Sequence, residues 1–144
     1  MRDYSTAQRM DALEGYRAAL TADPAEIEAV RQAVRSMAAH GGFADRAGDV
    51  ALALDEVVAN AQEHGEAPIS VSAWSDGRLV VEVTDRGEGF DYSGVCRTHP
   101  PEPLGHRGRG LWIVRQLVDV VTISSGPAGT MVRMELLTEP HIGA

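Results

Sequence analysis

The hydrophobic pattern of the chain changes its period near residue 65, and this change constrains the fold more than any other feature. Apolar residues recur at helical spacing over residues 23–41 and again over about 44–64. Over residues 69–83 they occupy every second position, as in strands that bury one face. Long helices followed by paired strands favour an α+β fold, a two-layer sandwich with the helices packed on one face of a mostly antiparallel mixed sheet.

Capping residues and glycines mark the ends of the two helices. Asp23 can cap the first helix, Pro24 suits its first position, and Glu26 completes a capping box. Gly41 and Gly65 are placed to end the first and the second helix. The apolar stripes expected to face the core are Ile27, Val30, Val34, Met37 and Ala38 in the first helix and Val50, Leu54, Val57 and Ala61 in the second.

Short turns and one irregular stretch separate the strands. Ser75-Asp76-Gly77 predicts a hairpin turn between two alternating strands, and the second of these runs into Asp85. Three prolines oppose regular structure over residues 91–107. The other expected elements are a short strand over residues 16–21, a helix over about 110–118, and two strands over 120–124 and 130–137 joined by a glycine-rich turn.

Length and charge limit the classes of function. The 144 residues suit one domain, expected over residues 16–144 and preceded by a tail or short helix over residues 1–15. The net charge of −8 argues against a direct nucleic-acid partner. All 13 basic residues are arginine, so the chain lacks the lysine of a Walker-type phosphate-binding loop. Without an apolar run of membrane-spanning length or a signal-peptide pattern, the sequence predicts a cytoplasmic protein that has no membrane partner.

An acid and an amide stand one helical turn apart in the second helix. Glu56 and Asn60 therefore point in the same direction. An amide oxygen can ligate a hard cation such as Mg²⁺, and a neighbouring carboxylate can accept a proton. The pair suits a site for a metal–nucleotide complex, and the alternative is a solvated helix face.

An aspartate and two spaced glycines follow the second alternating strand. Asp85 can serve as a buried hydrogen-bond acceptor, while Gly87 and Gly89 have no Cβ to block a flat ligand. The glycines also let the backbone turn sharply, so the alternative is a turn that Asp85 merely caps.

A third glycine-rich segment precedes a predicted helix. Gly108 and Gly110 would expose backbone N–H groups at the helix start, where the helix dipole favours a phosphate. Arg107 and Arg109 could reach the phosphates and supply positive charge. The alternative is a pair of solvated loop arginines.

The three segments occur in a fixed order, and Gly129-Thr130 follows them. In this order the chain resembles the GHKL ATPases, which share the Bergerat ATP-binding fold. It resembles more closely their small stand-alone branch, the anti-sigma factor serine/threonine-protein kinases. The resemblance extends over about residues 16–138 and is most specific in the segments Asn60-Ala61-Gln62-Glu63-His64-Gly65 and Gly108-Arg109-Gly110-Leu111-Trp112-Ile113-Val114-Arg115.

The resemblance implies a role for each matching residue. Asn60 matches the asparagine that holds Mg²⁺ against the phosphates of ATP, and Glu56 matches the proposed general base. Asp85 matches the aspartate that accepts a hydrogen bond from the adenine amino group, and Gly87 and Gly89 match the glycines beside the ring.

The glycine-rich segment and the last strand complete the implied nucleotide site. Gly108, Gly110 and Leu111 match the segment that closes over the phosphates, and Thr130 matches the threonine that supports the adenine end. His106 stands where the family pattern has its first glycine, which leaves the geometry of this segment open.

The implied activity is phosphoryl transfer from Mg-ATP to a serine or threonine of an antagonist (anti-anti-sigma) protein. A sigma factor is the other implied protein partner, in control of transcription, and a homodimer is compatible with the resemblance. One alternative is an ATP-binding regulatory module without kinase activity. The other is a histidine-kinase-type ATPase domain that acts with a separate partner, since residues 1–22 are too short for a helical hairpin carrying the phosphorylated histidine.

Overall fold

The chain folds into two layers, with three α-helices on one face of a six-stranded sheet. A computed structural model describes residues 7–10, 14–20, 23–87 and 106–138, and these counts refer to them. The arrangement confirms the predicted α+β sandwich. The elements in chain order are β1 (Ala7–Met10), β2 (Glu14–Leu20), α1 (Pro24–His40), a short 3₁₀ helix (Ala44–Arg46), α2 (Ala47–His64), β3 (Ile69–Ser75), β4 (Arg78–Asp85), α3 (His106–Leu117), β5 (Val120–Gly126) and β6 (Gly129–Leu137).

Helix α1 begins and ends where its capping residues predict. The Asp23 carboxylate accepts a hydrogen bond from the Ala25 N–H at 2.9 Å, and Pro24 occupies the first helical position. The chain leaves the helix at Gly41 and turns at Gly42, whose φ of +94° is a conformation that favours glycine.

Helix α2 begins later than its apolar pattern indicates. Residues Ala44–Arg46 form a 3₁₀ turn, and the α-helix starts at Ala47. Gly65 ends the helix in an extended conformation, and a short loop leads into β3. The predicted core stripe of this helix is buried: Val50, Leu54, Val57 and Ala61.

Every described strand pair is antiparallel, in the order β1-β2-β3-β4-β6-β5. The expected mixed sheet is therefore not seen among the described strands, because the chain returns from α3 through the β5–β6 hairpin and runs antiparallel to β4. The β4–β6 register places Asp85 opposite Thr130. Two residues that are distant in sequence thus meet at one end of the sheet.

The N-terminal stretch differs from the expected tail or short helix. Ala7–Met10 form strand β1, which pairs with β2, and β2 starts at Glu14 rather than at Tyr16. The helical spacing here covers only three apolar positions. Pairing instead satisfies a row of backbone donors and acceptors along the β2 edge, so contact with the sheet outweighs the local pattern.

One face of the sheet and the helices enclose the hydrophobic core. Val30, Val34 and Ala38 of α1 are buried in it, together with the stripe of α2. Burying an aliphatic side chain of this size contributes roughly 1.5–3 kcal/mol. None of the described helices has the length and apolar character needed to cross a bilayer. The central strands contribute Ile69, Val71, Ala73, Leu79, Val81 and Val83.

The opposite face of the sheet carries an ionic and cation–π cluster. The Arg133 guanidinium lies 5.6 Å from the centre of the Trp74 ring, and its Nε donates to Glu82 Oε2 at 2.7 Å. Val80, which is opposite Trp74 in the β3–β4 register, is fully buried on this face. The cluster therefore shields apolar sheet surface that the described helices do not cover.

An ion pair joins the start of α2 to the segment between α3 and β5. Nη1 of Arg46 lies 2.7 Å from Oδ2 of Asp119, and that oxygen also accepts the Leu137 N–H at 2.7 Å. The two charged side chains are only 24% and 18% exposed. Partial burial by itself would raise the pKa of the Asp119 carboxyl, but the hydrogen bonds from Arg46 and Leu137 hold this pKa below its usual range.

Replacing Asp119 by asparagine is expected to lower the free energy of unfolding by roughly 1–3 kcal/mol at pH 7, because two hydrogen bonds to a charged group are weakened. Since the pKa of Asp119 is lowered in the folded chain, its contribution is present above the pKa of the unfolded chain, about 3.9. The contribution is lost as the pH falls through the folded pKa. Urea unfolding of both proteins between neutral pH and pH 3 measures this change.

Asp45→Asn is the matched control, because Asp45 lies on the 3₁₀ helix and has no ion pair to any described residue. Its effect should be small at every pH. A difference between Asp119→Asn and wild type that stays constant down to pH 3 would contradict the assignment.

Candidate functional site

Helix α2 presents Glu56 and Asn60 to helix α3. Both side chains are half-buried. A Cβ built on Gly110 of α3 would lie 3.3 Å from Oε2 of Glu56 and 3.5 Å from Nδ2 of Asn60. The backbone of α3 therefore lies directly over the two side chains, as the helical spacing of the pair allows.

Asp85 ends strand β4 with its carboxylate buried, at 7% exposure. Oδ1 accepts the Gly87 N–H at 2.8 Å. The next residue, Arg86, donates its backbone N–H to the Glu66 carbonyl at 3.0 Å. Among the described residues, Oδ2 of Asp85 has no hydrogen-bond donor. Asp85 also lines an open pocket, so this oxygen is available to accept a hydrogen bond from a ligand.

Three glycines from three different segments surround Asp85. A Cβ on Gly65, at the end of α2, would lie 2.4 Å from Cγ of Asp85. A Cβ on Gly87 would lie 3.2 Å from Oδ1, and one on Gly129 would lie 2.1 Å from the Asp85 carbonyl oxygen. Real side chains do not approach this closely at Gly65 or Gly129, so the carboxylate and its backbone lie in space that only glycine leaves open.

Thr130 lies beside Asp85 because β4 and β6 pair at these residues. It is buried, and its hydroxyl is 2.7 Å from the hydroxyl of Ser125 on β5. The Ser125 hydroxyl therefore restricts the rotation of Thr130 and the direction of its proton.

One open pocket collects most of these residues. It has a volume of about 250 Å³, part of it open to solvent, and lies between α2, α3 and the sheet. Asn60, Asp85, Thr130 and Leu111 line it, while Glu56 lies outside the lining, next to Gly110. Four apolar side chains complete the walls: Val57, Ala61, Val83 and Val132.

Asn60 carries a buried polar atom that lacks a partner. Among the described residues, its Nδ2 makes no hydrogen bond. Leaving such a donor buried and unpaired costs roughly 1–3 kcal/mol, which a ligand that accepts a hydrogen bond would recover. Within the described ranges, no group of three or more histidine, cysteine, aspartate or glutamate side chains could hold a metal ion.

The glycine-rich segment differs from its prediction. Helix α3 starts at His106 rather than near Gly110, so Gly108 and Gly110 lie inside its first turns. Each glycine costs about 1 kcal/mol in a helix interior, but Gly110 is the residue that lets α3 approach Glu56 and Asn60. Gly89 and the side chains of Arg107 and Arg109 lie outside the described residues.

Sequence reasoning missed several residues at this site. Gly65 was assigned only to the helix end, yet it contacts the Asp85 carboxylate. Ser125 follows the predicted strand 120–124 and has no predicted role, yet its hydroxyl is 2.7 Å from that of Thr130. The apolar residues of the pocket walls follow the same helical and strand periodicity as the other core residues. No local sequence signal therefore distinguishes the pocket walls from the core. The position of Gly65 immediately after the Glu56–Asn60 helix is the one signal that could have marked it.

The sequence matches the family described as histidine kinase-like ATPase domain over residues 20–136. This span covers most of the chain and includes α2, β4, α3 and β6. The chain belongs to the histidine kinase-like ATPase family. The match contains every residue of the pocket described above, so the pocket lies within the family domain rather than in an addition to it.

A solved structure with a similar fold contains the RsbU and RsbW domains of Rv1364c from Mycobacterium tuberculosis. It is 26% identical to this histidine kinase-like ATPase domain, with a TM-score of 0.61, and the likeness covers 85% of this chain and 32% of that chain. The chain thus spans about a third of the length of that protein.

Two histidine kinases also share the fold. The histidine kinase domain from the blue-light activated histidine kinase of Erythrobacter litoralis is 24% identical, with a TM-score of 0.51, over 78% of this chain and 63% of that one. The Acinetobacter baumannii histidine kinase AdeS is 10% identical, with a TM-score of 0.53, over 85% of this chain and 68% of that one. At these identities the likeness shows the fold alone. Among curated proteins, no sequence matches significantly.

Gly129→Ala is expected to destabilise the histidine kinase-like ATPase domain by roughly 2–4 kcal/mol. Its φ of +137° is strained for alanine, and the added Cβ would lie 2.1 Å from the Asp85 carbonyl oxygen. Gly126→Ala, at the other end of the same turn, is the control, because a Cβ there meets nothing within 4 Å. Urea unfolding of both variants tests the claim, and equal losses of stability would contradict it.

Proposed function

We propose that the chain is a regulatory protein kinase that binds Mg-ATP and transfers the γ-phosphoryl group to a serine or threonine of an antagonist protein. Through this transfer it would control sigma-factor-dependent transcription by exchanging protein partners. The observation that carries the proposal is the convergence of Asn60, Asp85 and Thr130 on one pocket, with Glu56 at its edge, in a histidine kinase-like ATPase domain. The similarity to a structure that contains an RsbW domain supports the serine/threonine branch.

Asp85 and Thr130 would form the adenine end of the site. The unpaired Oδ2 of Asp85 would accept a hydrogen bond from the exocyclic amino group of adenine. The apolar walls from Val57, Val83 and Val132 would contact the ring. The bare Cα of Gly87 lets the turn after β4 lie against the end of α2, and this contact would hold the carboxylate in place beside a bound base. We assign Gly89, which lies outside the described residues, to the same edge on family resemblance.

Asn60 would hold Mg²⁺ and the phosphates. Its single amide oxygen is a hard ligand of the kind Mg²⁺ accepts, and phosphate and water oxygens would complete the shell. The buried, unpaired Nδ2 suits a phosphate oxygen as acceptor. Bound Mg²⁺ would neutralise charge that develops on the phosphate oxygens.

The start of α3 would hold the phosphates from the other side. The backbone N–H groups of its first four residues, 106–109, have no acceptor within the helix, and the helix dipole favours anions there. Gly108 is one of these residues, while Gly110 lies one position further along, over Glu56 and Asn60. Arg107 and Arg109 would add charge in place of the lysine that the chain lacks. Leu111, which lines the pocket, would separate the phosphate end from the base.

Glu56 would act as the general base. It would accept the proton of the serine or threonine hydroxyl as the hydroxyl oxygen bonds to the γ-phosphorus. The bond from the γ-phosphorus to the bridging oxygen would break in the same step, and ADP would leave. Its position beside Asn60 and next to Gly110, outside the pocket lining, suits contact with a second substrate rather than with the base of ATP.

A second candidate function is a histidine-kinase-type ATPase domain that phosphorylates a separate histidine-bearing partner. The shared fold of the two histidine kinases favours keeping it. Acid stability separates the two products, since phosphoserine survives acid and phosphohistidine does not.

Under either function we assign the protein to the cytoplasm and expect no direct contact with nucleic acid. A homodimer is compatible with both functions.

Asp85→Asn is expected to weaken Mg-ATP binding by roughly 1–3 kcal/mol, because a hydrogen bond to a buried carboxylate is lost. Isothermal titration calorimetry measures this change. Asp76→Asn, at the exposed β3–β4 turn, is the control and should bind ATP like wild type. An unchanged affinity for Asp85→Asn would refute the adenine assignment.

Glu56→Ala is expected to abolish phosphoryl transfer while Mg-ATP affinity stays within about threefold of wild type, because the base acts on the second substrate. Labelled ATP, the purified chain and candidate antagonist proteins form the assay, with binding followed in parallel. Glu63→Ala, an exposed acid on the same helix, serves as control. Full transfer by Glu56→Ala would show that another group is the base.

A further inference from the structure

Gly65 contacts the Asp85 carboxylate more closely than any other described glycine does. A Cβ on Gly65 would lie 2.4 Å from Cγ and 2.6 and 2.7 Å from the two carboxylate oxygens. Gly65 is the residue at which α2 ends, whereas Asp85 ends β4, so the contact joins the helix layer to the sheet layer. Any side chain at position 65 would occupy the space in which the carboxylate lies.

The backbone conformation at Gly65 does not require glycine. Its φ of −103° and ψ of −163° are extended values that any residue adopts. A helix end that demands glycine has a left-handed residue at this point, and Gly65 is not one. The need for glycine therefore arises from the neighbouring carboxylate and not from the ending of α2.

Further contacts hold the end of α2 against the turn after β4. A Cβ on Gly87 would lie 2.9 Å from Cα of Gly65, so the two backbones touch. The Arg86 N–H donates to the Glu66 carbonyl at 3.0 Å, directly after the helix end. Since these are backbone contacts, a side chain added at Gly65 cannot be accommodated by separating the two segments without breaking them.

We propose that Gly65 is a positioning residue of the nucleotide pocket. Its missing side chain leaves the space in which the Asp85 carboxylate lies, with Oδ1 on the Gly87 N–H and Oδ2 left for the amino group of the base. In Gly65→Ala the carboxylate rotates away and the bond from Gly87 breaks, while the extended backbone stays in place. The consequence for ligands rests on the proposed function, whereas the contact itself does not.

Calorimetry with Mg-ATP and Mg-GTP tests the role in binding. Gly65→Ala should bind Mg-ATP roughly tenfold or more weakly, the scale of one lost hydrogen bond to a charged group, and should lose preference for ATP over GTP. Gly48→Ala is the matched control, because Gly48 lies on the same helix and a Cβ there meets nothing within 4 Å. Mg-ATP affinity of Gly65→Ala within twofold of wild type overturns the proposal.

Thermal unfolding without ligand tests the contact itself. Gly65→Ala should lower Tm by roughly 3–8 °C in the wild-type background and by clearly less in Asp85→Ala, which has no carboxylate to meet. Asp85→Ser replaces Asp85→Ala in the cycle if the latter does not fold. Equal losses of Tm in both backgrounds overturn the proposal. Wild type that binds no ATP refutes the proposed function, and this ligand-free cycle then decides the positioning role.

Discussion

The position of the Asp85 carboxylate is the constraint on which the rest of the site depends. A buried carboxylate is unfavourable unless its oxygens are satisfied, and here the protein satisfies one of them through the Gly87 N–H. Gly65 and Gly87 lie against the carboxylate without side chains of their own, and Gly129 lies against the backbone carbonyl of Asp85. Because backbone cannot change rotamer, the carboxylate has one place to lie. The position of the carboxylate is therefore determined by how the helix and sheet layers pack against each other.

Each segment that contacts Asp85 is held in place by packing elsewhere. Helix α2 is anchored through its buried stripe, which lies in the core between the helices and the sheet. Strand β6 is held by its pairing with the whole of β4, through residues 130–137. The Arg46–Asp119 pair ties the start of α2 to the segment after α3 and, through the Leu137 N–H, to the end of β6. The segments around Asp85 are thus held by contacts that lie outside the pocket.

Local periodicity explains what sequence reasoning could predict. The spacing of Glu56 and Asn60 within one helix, and the place of Asp85 at a strand end, follow from patterns of a few residues. The contact of Gly65 with Asp85 depends on how α2 packs on the sheet, and the bond from Ser125 to Thr130 depends on strand register. Neither contact can be predicted from the pattern of a few neighbouring residues. Strand β1 could not be predicted locally either, because it forms by pairing with strand β2.

The two ends of the site differ in how their geometry is determined. At the Asp85 end, backbone contacts determine the geometry, so few substitutions there preserve both fold and pocket. At the other end, Glu56 and Asn60 are half-buried side chains of α2 that lie under Gly110 of α3. A change at Glu56 leaves the three glycines and the pocket walls untouched. If the proposed function holds, nucleotide binding and phosphoryl transfer depend on different ends of the site, and a kinase would differ from a pure nucleotide-binding module at the contact between α2 and α3.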